Sequence, residues 1–245
     1  MNFTDQTAVV TGGTRGIGRA VSEAFLQAGA SVIATYRSND EAAKAFQTGL
    51  GDLGARLSLA RFDVTSEDAV KAFWCGLDES ETRVQILVNN SGIRRDHVMA
   101  MMPTVDWRAV LDTNLTGTFL MAKSAVLHML RSRYGRVINI TSPAGQYGFE
   151  GQANYSASKA GQVAMGRSLS KEVAKRGITV NCVSPGFVAT ELIDDLPPEA
   201  VIAHKKSVPM KRFGKPEEIA YAVLALAAKE ASYINGATLE VTGGL

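Results

Sequence analysis

A short apolar run, Thr7-Ala8-Val9-Val10, leads straight into Thr11-Gly12-Gly13-Thr14-Arg15-Gly16-Ile17-Gly18. An amphipathic pattern then continues to about Ala28, and a second apolar run, Ser31-Val32-Ile33-Ala34-Thr35, follows at once. Strand, glycine turn, helix and second strand in so short a span require the two strands to lie parallel, because a crossover of this length spans the height of the sheet. The glycines serve a tight turn in any case. Placed after a strand and before a helix, they also let backbone N–H groups approach a phosphate at the positive helix end. Gly12, Thr14, Arg15, Gly16, Ile17 and Gly18 are therefore candidate dinucleotide contacts.

The same alternation repeats to the end of the chain. Helical patterns are expected over residues 40–50, 66–77, 105–133, 153–173 and 216–229, and strands over 57–62, 84–88, 136–140, 178–183 and 237–241. The run 84–88 is apolar throughout, as suits a strand covered on both faces. Within 105–133 the pattern breaks near Asp112-Thr113-Asn114, where Asn is a poor helix former. A cap would explain the break, and so would a local kink. Residues 191–210 are polar, contain proline and read as irregular, which suits a substrate lid at about 190–210. No repeat, low-complexity tract or linker divides the chain. The expectation is an α/β fold: a single-domain doubly wound parallel sheet (Rossmann fold) with helices on both faces, spanning residues 1–245.

Composition excludes more than it assigns. A net charge of +2, with no run of Lys or Arg longer than two, gives no basic footprint for nucleic acid. The N-terminus enters a strand without a signal-like stretch, and no apolar run approaches a membrane span, so a cytoplasmic protein is expected. Cys75 and Cys182 are isolated from each other and from His, which argues against a disulfide framework and a metal site.

Chemistry enters at Tyr155-Ser156-Ala157-Ser158-Lys159. The Tyr and Lys are four residues apart in a helical segment and share one face. A phenol with a pKa near 10 is a poor proton donor or acceptor at neutral pH unless its surroundings adjust it, and a neighbouring ammonium can do so. Many such pairs are merely solvated helix faces, so the meaning depends on the company they keep. After the second strand stands Tyr36-Arg37 with no acid to take a ribose hydroxyl. Arg37 and Arg15 are two cations suited to a 2′-phosphate, which points to NADPH.

The spacing Thr11-Gly12-x3-Gly16-x-Gly18 resembles the fingerprint of the short-chain dehydrogenase/reductase superfamily. Asn89-Asn90-Ser91-Gly92 is similar to its Asn-Asn-Ala-Gly element, with Ser91 in place of Ala. Ser142 precedes Tyr155 by the superfamily's thirteen residues. The resemblance implies a tetrad of Asn114, Ser142, Tyr155 and Lys159, in which Ser142 and Tyr155 donate to the substrate oxygen. In it Lys159 lowers the Tyr155 pKa and holds the nicotinamide ribose, and Asn114 orders a water in the proton path. It further implies cofactor contacts at Asp63 and Val64, at Asn90, Ser91 and Gly92, and at Pro185, Gly186, Val188 and Thr190. Asp63 reads equally as a turn residue leading into the next helix. The runs Asn90 to Asp96, Gly151 to Tyr155 and Arg176 to Asn181 look like 3-oxoacyl-[acyl-carrier-protein] reductases. That likeness implies a homotetramer and an acidic acyl carrier protein docked near the site mouth by Arg133 and Arg176, with Arg94 and Arg95 as further candidates. The two former arginines would also suit helix C-termini. A reductase of a free ketone or alcohol, or a non-catalytic NADP-binding regulator, remains compatible with the fold.

Overall fold

The apolar runs pair side by side in one parallel sheet. A computed structural model describes residues 1–190 and 197–245. Its strands are β1 (Thr7–Val10), β2 (Ser31–Tyr36), β3 (Leu57–Arg61), β4 (Ile86–Asn89), β5 (Gly135–Ile140), β6 (Ile178–Pro185) and β7 (Thr238–Val241). Their order is β3-β2-β1-β4-β5-β6-β7, all parallel. The winding reverses between β1 and β4, so the loops leaving their carboxyl ends diverge and open a crevice there.

Alternation across the sheet builds two cores. In β4, Leu87 packs with Trp74, Met121, Met129 and Val180 on one face, and Val88 packs with Phe25, Leu26, Ile219 and Val223 on the other. The second core joins α1 (Gly16–Gln27) to the helix Pro216–Ala227. The first seats α3 (Glu67–Glu79) and α5 (Gly117–Met129). α2 (Asp40–Gly49) is capped by Asn39, whose side chain accepts from the Ala42 N–H at 2.9 Å.

The break expected near residues 112–114 is a kink. α4 (Thr104–Leu111) passes into a π-helical turn, Asp112–Thr116, before α5 begins. The wider turn frees the Asn114 carbonyl, which accepts from Thr118 Oγ1 at 2.6 Å and Gln162 Nε2 at 2.7 Å. α5 ends at Met129 rather than at 133, and Arg133 takes a left-handed conformation (φ 51°) as the chain turns back into β5.

The segment expected to be irregular differs. Residues 191–196 lie outside the described residues, but Pro198–Ser207 forms a helix. Proline reads as a breaker in sequence, yet in a first turn its missing N–H costs nothing. Glu199 near the start and His204, Lys205 and Lys206 in the last turn complement the helix dipole.

Two helices, α6 (Ala144–Tyr147) and α7 (Ala153–Val173), cross so closely that only glycine fits at Gly145. A Cβ there would lie 2.6 Å from the Ala160 nitrogen and 2.8 Å from the Lys159 carbonyl carbon, both backbone atoms that cannot yield. Gly145→Ala is expected to destabilise the protein by about 1–3 kcal/mol. A lowered urea midpoint at unchanged m value would show it, and an unchanged midpoint would mean that α6 is free to move off α7.

Candidate active site

The glycine turn is built around a clasp between β1 and β4. Thr11 Oγ1 accepts from the Asn90 and Ser91 N–H groups, both at 2.9 Å, and Asn90 Nδ2 donates to the carbonyls of Thr11 (3.0 Å) and Gly12 (3.2 Å). Gly12 (φ 60°) and Gly16 (φ 51°) occupy the left-handed region. A Cβ on Gly18 would land on the Gly12 carbonyl oxygen. α1 begins at Gly16 with no side-chain cap from Arg15 and no acid in its first turn, so its N–H donors face outward unspent. Thr190 stands beside Gly16, 3.7 Å from where a Cβ would be. A bare cradle of donors at a positive helix end fits a dinucleotide diphosphate.

Arg15, in the glycine turn, and Arg37, just past the end of β2, are both exposed. Arg37 reaches only to 3.8 Å from Asp63 Oδ2. Asp63 Oδ1 accepts from the Thr65 N–H and hydroxyl, both at 2.9 Å, which shapes the turn into α3 and leaves Oδ2 toward the crevice. The turn role is thus filled by one oxygen while the other stays open. Val64 is buried against Gly117. Two residues here escape a reading of sequence. Arg61 lies opposite Tyr36 in the β2–β3 register, donates to Asp40 Oδ2 at 2.8 Å and approaches the Arg37 carbonyl at 3.3 Å. An acid therefore does stand near the end of β2, but Arg61 engages it.

Ser142 follows β5, Tyr155 and Lys159 occupy the first turns of α7, and Asn114 projects from the π turn. Lys159 is 4% exposed and donates to the Ile140 carbonyl at 2.7 Å. Its Nζ lies 5.5 Å from the centroid of the Tyr155 ring. Burial pushes its pKa down to about 8. Burial also pushes the Tyr155 phenol up, against the opposing effects of the Ser142 hydroxyl and the charge of Arg94, while Asp96 adds to the rise. Burial is the largest cause of that rise, so Tyr155 stays protonated at neutral pH, while the Lys159 ammonium is engaged by a backbone carbonyl.

Asn114 is fully buried. Its Oδ1 accepts from the Ile93 N–H at 2.8 Å, and its Nδ2 donates to the Ile93 carbonyl at 3.0 Å and to Ser158 Oγ at 3.1 Å. Ser158 in turn donates to the Tyr155 carbonyl at 2.7 Å. The residue is a structural bridge, and Oδ1 also lies close to Gly92. A Cβ on that glycine would sit 3.3 Å from Oδ1 and 3.8 Å from Lys159 Nζ. Gln162, fully buried and donating to the Asn114 carbonyl and to Thr118 Oγ1 (2.7 Å), belongs to the same network. Its signal was its place seven residues after Tyr155 on the same helical face.

Pro185 closes β6, Gly186 packs on Thr242, and Val188 is buried and bridged to Gly214, all at the same carboxyl edge as Ser142. Arg94 pairs with Asp96 (3.0 Å) and Arg95 approaches Asp106 (4.0 Å) near this mouth. Arg133 and Arg176 do not. They precede β5 and β6, with Arg133 donating to the Lys175 carbonyl at 3.1 Å, and so lie at the opposite, amino edge of the sheet. The height of a six-residue strand, about 20 Å, separates them from Ser142 within one chain. Among the described residues no group of three or more His, Cys, Asp or Glu is gathered for a metal ion, and no helix is long and apolar enough to cross a membrane.

A protein-family model described as Enoyl-(Acyl carrier protein) reductase matches residues 12–245. The chain is 42% identical over 245 residues to the 3-oxoacyl-[acyl-carrier-protein] reductase FabG of Vibrio cholerae, covering 100% of this chain and 99% of that one. The same figures hold for the FabG of Escherichia coli. It is 39% identical over 240 residues to that of Aquifex aeolicus, covering 98% and 97%. Among solved structures, a protein of Agrobacterium tumefaciens provisionally described as a gluconate dehydrogenase matches with a TM-score of 0.95 at 33% identity, over 99% of this chain and 96% of that one.

The buried ammonium makes a testable link between pH and stability. Lys159 releases its proton near pH 8 in the folded protein and near its ordinary 10.5 when unfolded. Between these values the unfolded chain binds more protons, so this residue's contribution to stability rises with pH. Urea unfolding of wild type and Lys159→Met at about pH 7 and about pH 10 should show the difference moving in favour of wild type at the higher pH. A difference independent of pH would mean that the ammonium is solvated.

Proposed function

Because the chain belongs to the short-chain dehydrogenase/reductase family, we propose that it reduces the ketone of a 3-oxoacyl thioester, carried on acyl carrier protein, to the 3-hydroxyacyl thioester with NADPH. The carrying observation is the pair of hydroxyls at the carboxyl edge: Ser142 just after β5 and, at the start of α7, a Tyr155 phenol that burial keeps protonated. Two O–H donors beside each other suit an oxygen that becomes negative and then takes a proton. Reduction of a carbon–carbon double bond would need a proton delivered to carbon instead.

When bound, NADPH supplies the hydride to the carbonyl carbon. Ser142 and Tyr155 hold the carbonyl oxygen, and Tyr155 transfers its proton there. Lys159 has two N–H groups beyond the one given to Ile140, and these suit the ribose hydroxyls. Asn114 would order the water through which the proton returns. Gly12 to Gly18, Asn90 to Gly92, Asp63, Val64 and Pro185 to Thr190 frame the cofactor. Arg15 and Arg37 favour a 2′-phosphate. Residues 190–210 would cover the acyl end, and a cytoplasmic setting goes with this reading.

Arg133 and Arg176 can serve carrier docking only from a neighbouring subunit. α7, with 21 residues and about 30 Å long, carries Tyr155 at its start and Arg176 just past its end. An antiparallel pairing of α5 and α7 with a second copy would bring that copy's two arginines to this mouth. Exposed Phe119 and Leu127 on α5 supply apolar surface for it, consistent with a homotetramer.

A second reading, reduction or oxidation of a free ketone or alcohol, is favoured by the structural likeness to the gluconate dehydrogenase. NADPH oxidation with acetoacetyl carrier protein, acetoacetyl-N-acetylcysteamine and a free ketone separates the two, since turnover of the free ketone alone would overturn the thioester assignment. Tyr155→Phe is expected to lose more than nine-tenths of turnover, about 1.4 kcal/mol or more in barrier, while NADPH still binds in a fluorescence titration. A mutant with near wild-type rates would remove Tyr155 from its role. Reversing Arg133 and Arg176 together to Glu should raise KM for the carrier-bound substrate by about tenfold and leave the small thioester unaffected. Equal loss on both substrates would make the arginines supports of the fold.

A further inference from the structure

We propose that the Arg94–Asp96 ion pair, stitched to the first turn of α7, is a charge-balancing and positioning element for Tyr155 that sets the alkaline limit of turnover. The inference rests on the reading of Tyr155 as the proton donor.

The chain leaving β4 cannot move independently of that tyrosine. Both backbone groups of Ile93 are held by the Asn114 side chain at 2.8 and 3.0 Å. The Arg95 carbonyl accepts from Asn154 Nδ2 at 2.9 Å, and Asn154, itself fully buried, accepts the Tyr155 N–H at 2.7 Å. The His97 N–H reaches the Gly151 carbonyl at 2.8 Å. Gln152, the N-cap residue of α7, makes no cap bond with its side chain. It donates instead to Asp96 Oδ2 at 3.2 Å, the oxygen that Arg94 Nε meets at 3.0 Å. Residues 93–97 thus run along the start of α7 as a strap, and the ion pair sits where the strap passes Tyr155.

The charged and titratable groups acting on the phenol can be named from each side. Lys159 stands on its own helix and is engaged by Ile140. Ser142 comes from the segment after β5, and Arg94 and Asp96 come from the strap. Arg95 and His97 turn to Asp106 instead, at 4.0 and 3.1 Å. Of the strap's two charges, the guanidinium favours the phenolate and the carboxylate favours the phenol, in opposition to each other. Each side chain is 36% exposed, enough for the balance to be screened by salt but not abolished. The bonds that fasten the strap, from Gln152 to Asp96 and from Asn154 to the Arg95 carbonyl, hold the ion pair at the end of α7 that carries Tyr155.

The sign of the test follows. Proton donation requires the phenol, so turnover falls as pH rises through its ionisation. Arg94→Gln removes a charge that favours phenolate and should move the alkaline limb to higher pH, whereas Asp96→Asn should move it to lower pH. The double variant should return toward wild type. Lys159 also titrates near pH 8, so the phenol is read directly as well. Phenolate absorbance of each protein is titrated against the same protein carrying Tyr155→Phe, with circular dichroism confirming the fold. Opposite displacements of the Tyr155 titration support the proposal, and displacements in one direction, or none, overturn it. If the titrations move oppositely but wild type does not turn over acetoacetyl thioester, the charge balance stands and the proposed reduction fails.

Discussion

One hydrogen bond, from the Lys159 ammonium to the Ile140 carbonyl at 2.7 Å, ties the helix that bears Tyr155 to the strand that delivers Ser142. An ammonium taken out of water is costly unless a polar partner meets it. The fold meets that cost with the last carbonyl of β5, and in doing so sets the distance between α7 and the sheet's carboxyl edge. Gly145 is the geometric counterpart, since α6 can lie on α7 at this height only where no Cβ intervenes. The same dehydration that depresses the lysine also raises the tyrosine, so both groups have ionisations governed by how tightly this corner is closed.

Around that bond lies a polar network inside the protein. Asn114, Thr118, Ser158 and Gln162 connect the π turn to α7 by hydrogen bonds of 2.6 to 3.1 Å. A widened turn leaves a backbone carbonyl without its usual partner, and here side chains from two elements complete it. Such a network specifies one arrangement of the helices better than an apolar contact would, because a shift of either helix leaves buried groups unpaired.

The sheet divides function between its edges. The glycine turn, the Ser142 and Tyr155 hydroxyls and the strap of residues 93–97 gather at the carboxyl ends of β1, β4 and β5. Arg133 and Arg176 gather at the amino ends of β5 and β6. With a net charge of +2, the chain has no general field to draw an acidic partner, so where individual arginines stand decides what they can touch.

Sequence alone determined the parallel sheet, the glycine turn at the start of a helix, the shared face of Tyr155 and Lys159, and the interruption at Asn114. Each of these is local: a period of two or 3.6 residues, a spacing within one element, or a residue that disfavours a helix interior. Tertiary structure decided the rest. Strand register placed Arg61 on Asp40, and the height of the sheet carried Arg133 and Arg176 to the far edge. Helix ends placed a proline inside a first turn where a breaker was expected. Burial set the direction for the Tyr155 phenol, because desolvation depends on every atom packed around a group, and no spacing along the chain reports how much water a fold will exclude.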